Sequence, residues 1–235
     1  MTLGYFVFAL GCILLILSSF WLKISHRTAD VRVRKLREVL GSLCRLYRIY
    51  AKVLGLAHIS YEGIGTIESG LIVSNHPSLI DVLWLVAAMP QVCCVLKAEI
   101  NNNYLLRPLV KDLDYLSNSD PEKLLDEGAS RIKAGEVLLI FPEATRTPPG
   151  TIPKFRLGAA ELLVRTGAQA HVLLIKKSHI YLSKMVPWYA FPPEPLRYEI
   201  SRIAHFEPCL VGSRRTLRRQ VNSCLLYTSP SPRDA

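Results

Sequence analysis

His76 and Asp81 lie in one short stretch, Ser74-Asn75-His76-Pro77-Ser78-Leu79-Ile80-Asp81. An imidazole that must accept a proton near neutral pH works best when a carboxylate fixes its tautomer and supports the imidazolium that forms. The pattern His, four residues, Asp can supply that pair. The stretch follows the apolar run Leu71-Ile72-Val73 and precedes another, Val82 to Ala88, so it reads as a strand-to-helix turn. Proline suits the first turn of a helix, where its missing N–H is no loss, and this places Asn75 or His76 at the cap. The competing reading is a capping cluster that only closes the helix start. Taken alone, the pair does not choose between them.

Two further polar turns follow. Ile140-Phe141-Pro142-Glu143-Ala144-Thr145-Arg146-Thr147 ends the apolar run Val137 to Ile140, and Pro153-Lys154-Phe155-Arg156-Leu157-Gly158-Ala159-Ala160 enters a helical pattern. Three polar turns in this order resemble the glycerolipid acyltransferase family, whose type members are the lysophosphatidic acid acyltransferases. That family carries Asn-His-x4-Asp, then Phe-Pro-Glu-Gly-Thr-Arg, then a basic-Phe-basic-x-Gly-Ala block. The resemblance covers roughly residues 60–205.

The resemblance implies an O-acyltransferase. It would move a fatty acyl chain from an acyl-CoA or acyl-carrier-protein thioester to a hydroxyl of a lysophospholipid-like acceptor of the 1-acylglycerol-3-phosphate type. His76 is then the general base, oriented by Asp81. Glu143, Thr145 and Arg146 help to place the acceptor, the guanidinium pairing with a phosphate in the forked geometry that suits it. Lys154 and Arg156 add positive charge to the same mouth. A local loop salt bridge is the alternative for Glu143 and Arg146, and a solvated surface role for Lys154 and Arg156. No serine stands in a Gly-x-Ser-x-Gly elbow, so transfer is expected to be direct, without an acyl-enzyme. No cofactor or metal is implied beyond the thioester co-substrate. Three other readings stay open: a non-catalytic lipid-binding or scaffold protein of the same fold, an acyltransferase for a specialised lipid, and a hydrolase.

The sequence departs from the family pattern at three places. Ala144 replaces the usual Gly, the second block falls on Asp114-Tyr115-Leu116-Ser117-Asn118 and lacks the Arg that usually ends it, and His171 stands where the fourth block usually has Pro. Ser183-Lys184-Met185-Val186-Pro187-Trp188-Tyr189 resembles a bacterial subgroup associated with specialised lipid or aryl polyene assembly. Trp188 and Tyr189 are equally readable as interface or core aromatics.

The elements that must position these turns alternate. Strand-like runs are Leu71 to Ser74, Val92 to Leu96, Leu113 to Leu116, Val137 to Phe141 and His171 to Ile175, with a later one near Leu196 to Ile203. Helical patterns cover Leu79 to Ala88, Pro121 to Ala134 and Phe155 to Arg165; the second has a start signal in Ser119-Asp120-Pro121-Glu122 and a stop at Gly135. Such alternation predicts an α/β fold with a mostly parallel sheet covered by helices, the glycerolipid acyltransferase fold by resemblance. Ligands of these sheets collect beyond the carboxyl ends of the strands. His76 and the segment from Glu143 to Arg146 both follow strand ends, so one crevice can serve both.

The amino-terminal region predicts a membrane. Leu3 to Leu22 carries no charge and is about the length of a bilayer-crossing helix. A basic n-region and a clear small-x-small cleavage site are missing, so a retained single-pass anchor over residues 1–22 is favoured over a signal peptide. Between Lys23 and Lys52 stand nine Lys or Arg against two acids. Beside an apolar segment this block favours anionic lipid headgroups over nucleic acid, and it places the bulk of the chain on the cytoplasmic face, of a bacterial inner membrane by resemblance. Within residues 23–58, Val33, Leu36, Leu40, Leu43, Tyr47, Tyr50 and Leu54 form one apolar stripe of a basic amphipathic helix. That stripe either lies in the membrane interface or packs on the domain.

At 235 residues and net charge +10 the chain holds one full-sized domain, residues 59–224, plus these appendages. Its mean hydropathy of +0.22 is high for a purely soluble domain. The six cysteines, with no CxxC pair, indicate neither a disulfide framework nor a zinc site. Residues 225–235 fit no helix or strand pattern and resemble translated adaptor sequence, so they are set outside the fold.

Overall fold

A computed structural model describes residues 2–76, 78, 80–101, 106–142, 158–179, 194–207 and 216. The elements are α1 (Thr2–Ser25), α2 (Ala29–Val53), β1 (Ala57–Glu62), β2 (Gly70–Ser74), α3 (Asp81–Ala88), β3 (Cys93–Leu96), α4 (Ala98–Asn101), α5 (Arg107–Asp112), β4 (Leu116–Ser117), α6 (Pro121–Lys133), β5 (Val137–Ile140), α7 (Gly158–Thr166), β6 (Ala170–Lys177) and β7 (Leu196–Phe206). The strands form one sheet in the order β1-β7-β6-β2-β5-β3-β4. Every pairing is parallel except β6 with β7. The expected mostly parallel α/β sheet is what the chain builds.

Strand alternation splits the core into two layers. On β2, Ile72 faces one side with Leu139, Leu173 and Ile175 of its neighbours, and α2 and α3 cover that side with Cys44, Ala51, Trp84 and Leu85. Leu71 and Val73 face the other side with Leu138 and Ile140, under Leu124, Ala129 and Ile132 of α6 and Leu162 and Leu163 of α7. Burial on both faces is why the central strands read as continuous apolar runs. Asp120 caps α6, its Oδ1 accepting from Glu122 N and Lys123 N at 3.1 Å each. Gly70 makes the turn into β2 at φ 100°, where a Cβ would stand 2.5 Å from the Gln169 carbonyl oxygen.

The apolar stripe of α2 packs on the domain. Leu36 and Cys44 are buried, Leu40 and Tyr47 join the core beside α3, and a Cβ at Gly41 would meet Pro90 Cβ at 2.5 Å. Arg37 fastens the helix further. Its Nε donates to Leu113 O at 3.0 Å, Nη1 to Gln91 O at 3.2 Å and Glu136 Oε2 at 3.1 Å, and Nη2 to Asp114 O at 3.2 Å. Helix α1 lies along α2 and α5 on one face only: Leu15 and Leu22 pack with Leu36, Leu109 and Leu113, and Ser19 Oγ donates to Asp112 Oδ2 at 2.5 Å.

The structure differs from expectation at three elements. The run expected as a strand over Leu113 to Leu116 closes α5 instead: Leu113 N donates to Leu109 O, Asp114 turns at φ 55°, and β4 begins only at Leu116. Strand β1 was not expected. It pairs in parallel with β7, from Ala57 against Leu196 to Glu62 against Ser201, a partner that its local sequence does not announce. The helix after His76 starts at Asp81 with Ile80 at the cap, so neither Asn75 nor His76 caps it.

Candidate active site

Strand β2 delivers its chain end into a loop that side chains hold in place. Asn75 ties the loop to β6 by two bonds to one residue, its Nδ2 donating to Ile175 O at 2.9 Å and its Oδ1 accepting from Ile175 N at 2.7 Å. His76 follows immediately. Its Nδ1 donates to Asp81 Oδ2 at 3.1 Å, with the imidazole 18% exposed and the carboxylate fully buried. The ring lies against Phe141 at the end of β5, with centroids 4.4 Å apart and planes 25° from parallel.

Asp81 is the first residue of α3, where the helix dipole favours a negative charge. Its carboxylate takes two donors besides the imidazole: Ser78 N, 2.6 Å from Oδ2, and Ser78 Oγ, on Oδ1. Ser78 Oγ in turn stands 3.2 Å from the hydroxyl of Tyr198 on β7. Burial first, and the charge of Asp81 second, push the Tyr198 phenol well up, so it stays protonated; the Ser78 bond works in the opposite direction. A carboxylate bonded in this way cannot swing, and an imidazole anchored through Nδ1 presents Nε2 to a substrate.

Of the residues expected from sequence, the structure brings His76 and Asp81 together. Glu143, Thr145, Arg146, Lys154 and Arg156 lie outside the described residues, as do Ala144, Trp188 and Tyr189. The segment that carries the first five leaves from β5, which pairs directly with β2, Val73 opposite Ile140. In the second block, Asp114 and Asn118 serve the scaffold: Asp114 Oδ2 accepts from Arg131 at 2.6 Å and Asn118 Oδ1 from Ala98 N at 2.9 Å. His171, at the fourth block, is buried at the start of β6, away from His76.

Sequence reasoning missed Ser78, Tyr198 and the tie made by Asn75. Ser78 stands inside the His76–Asp81 motif, so its spacing from Asp81 was a usable signal. Tyr198 had none, because its contact joins residues 120 positions apart.

The model of the family described as Acyltransferase matches residues 58–178, just over half of the chain. A 1-acyl-sn-glycerol-3-phosphate acyltransferase of Helicobacter pylori is 28% identical over 145 residues, which are 57% of this chain and 61% of that protein. The match thus spans about three fifths of that relative's length. The fold is similar to the crystal structure of the 1-acyl-sn-glycerophosphate (LPA) acyltransferase PlsC from Thermotoga maritima, with a TM-score of 0.65 and 20% identity over 95% of this chain and 90% of that one. The family match runs from β1 to the end of β6 and encloses both His76 and Asp81, and on it the chain belongs to the acyltransferase family.

Proposed function

We propose that this chain transfers a fatty acyl group from a thioester, acyl-CoA or acyl carrier protein, to a hydroxyl of a lysophospholipid-like acceptor. The observation that carries the reading is the 3.1 Å contact between His76 Nδ1 and the buried Asp81 carboxylate, just past the carboxyl end of β2. As the acceptor oxygen attacks the thioester carbonyl, His76 Nε2 takes the hydroxyl proton and Asp81 supports the imidazolium. The new C–O bond forms, the C–S bond breaks, and the proton passes from Nε2 to the departing thiolate. The imidazole is neutral again, and no acyl-enzyme is needed. Glu143, Thr145, Arg146, Lys154 and Arg156 are proposed to hold the acceptor's polar head.

One observation favours an acceptor other than 1-acylglycerol-3-phosphate. The second block, Asp114 to Asn118, has no arginine, and its Asp114 and Asn118 are engaged by Arg37, Arg131 and the Ala98 amide. The test is to incubate the full chain with labelled acyl-CoA or acyl carrier protein and a panel of lyso-acceptors and lipid alcohols. Acceptor-dependent transfer, abolished by His76→Ala in folded protein, is expected. Release of free acid without an acceptor would make the chain a hydrolase, and no turnover with any pair would leave a lipid-binding protein.

The same reading places the chain at the cytoplasmic face of a membrane. Gly4–Ser25 is long and apolar enough to cross a bilayer, with a mean hydropathy of 2.3. Its outward face shows Phe6, Phe20, Trp21 and Ile24, and α2 adds Leu46, Ile49 and Val53. Lys23 and the arginines that follow suit anionic headgroups. Flotation with vesicles of anionic phospholipid is expected to carry the protein up, and replacing Phe6, Phe20, Trp21 and Ile24 with serine to leave it in the load fraction.

A further inference from the structure

The carboxylate of Asp81 is held by a chain of hydroxyls whose direction is fixed by chemistry. A carboxylate oxygen only accepts, so Ser78 spends its one O–H on Asp81 Oδ1. Ser78 Oγ then has only lone pairs to offer, and the 3.2 Å contact with Tyr198 must run with the phenol donating. Tyr198 is 1% exposed and comes from β7, between β1 and β6, its ring packed 5.9 Å from that of Trp84 on α3. The sheet therefore fixes the phenol, the phenol fixes Ser78, and Ser78 with its own amide fixes both oxygens of Asp81.

We propose that Tyr198 and Ser78 are positioning residues of the acyl transfer, a Tyr198→Ser78→Asp81 hydrogen-bond chain that sets the angle at which Asp81 holds the imidazole of His76. This rests on the reading of His76 and Asp81 as base and orienter. Neither hydroxyl touches the acceptor; each acts through the carboxylate. Ser78→Ala removes a charge-assisted bond and leaves Tyr198 without its acceptor, whereas Tyr198→Phe deletes one oxygen and keeps the ring that the core packs against.

The experiment is a double-mutant cycle in the transfer assay on the full chain, with thermal unfolding run on each variant. Tyr198→Phe is expected to lower kcat by about 2- to 10-fold, the scale of one neutral hydrogen bond, with KM for the acceptor unchanged. Ser78→Ala should cost about 10-fold or more. In an Asp81→Asn background Tyr198→Phe should cost nothing further, because the group it acts through has changed. A purely structural hydroxyl would give the same loss in both backgrounds.

A second readout does not need turnover. The Nδ1 proton resonance of His76, assigned by its disappearance in His76→Ala, should shift in Tyr198→Phe, because the carboxylate that accepts it has changed its own bonding. An unchanged kcat and an unmoved resonance in folded Tyr198→Phe would overturn the proposal. Transfer that survives His76→Ala would instead sink the reading beneath it, a different result from a cycle without coupling.

Discussion

Two buried polar clusters lie on this sheet, and they spend their hydrogen bonds differently. Arg37 is 4% exposed and aims its guanidinium at three carbonyls and Glu136, while Arg131 bridges Asp114 and Glu136 beside it. Those partners all belong to turns that fasten α2 to β3, β4 and β5. His76 is held through one nitrogen, by a carboxylate that is itself held by Ser78. The first cluster closes on its own backbone, and what it yields is a fixed helix. The second fixes a ring through Nδ1, and among the described residues its Nε2 has no hydrogen-bond partner. The two differ in how fully their polar atoms are bonded, although both are buried: the Arg37 contacts join residues 54 to 99 positions apart, and those of His76, Ser78 and Asp81 lie within five.

Exchanging the readouts is the sharpest way to break this contrast. His76→Ala should lower turnover by about 10²- to 10⁴-fold, the usual worth of a general base, while the melting temperature stays near that of the parent. Arg37→Met should do the reverse. Three carbonyls lose their donor and Glu136 loses a partner, so stability should fall by about 2–4 kcal/mol in chemical unfolding, with kcat of the folded fraction unchanged. A large loss of kcat in Arg37→Met, or a large loss of stability in His76→Ala, would show that the two clusters are not divided as drawn.

The same contrast explains what could be read in advance. Strands β2, β5 and β6 were legible because parallel strands buried on both faces leave uninterrupted apolar runs, and α6 because Asp120-Pro121 and Gly135 mark its ends in the chain itself. His76 and Asp81 were legible for the same reason: the motif is local. Strand β1 was not, since Ala57-His58-Ile59-Ser60 alternates too briefly to stand out and acquires strand geometry only beside β7. Leu113 reads as strand because an apolar run does not say where a helix ends, and the deciding feature is Asp114 turning at φ 55°. Ser78 and Tyr198 meet across 120 positions, and neither hydroxyl has an unusual neighbour in sequence. The local motif revealed the His76–Asp81 pair, and only the fold revealed what holds its carboxylate.

The smallest expected effect concerns a second histidine that lacks the support given to His76. His171 is 3% exposed at the start of β6; its Nε2 donates to Ser69 O at 3.1 Å and its ring stacks on His205 with centroids 4.9 Å apart. Nδ1 is then the unprotonated nitrogen, and it has no partner among the described residues. Burial pushes this imidazole below its ordinary 6.5, the Ser69 carbonyl pulls the other way, and His205 and Arg202 add to the lowering. The folded chain thus binds fewer protons here than the unfolded chain, so stability is full above about pH 6.5 and falls as pH drops through the lowered folded value. Urea unfolding at pH 7.5 and pH 5.5 checks it: the midpoint should fall at the lower pH, and by less in His171→Leu, which has no proton to take up. An equal fall in both proteins would mean that burial beside His205 and Arg202 does not lower the proton affinity of His171, and that its unfolding carries no proton linkage of its own.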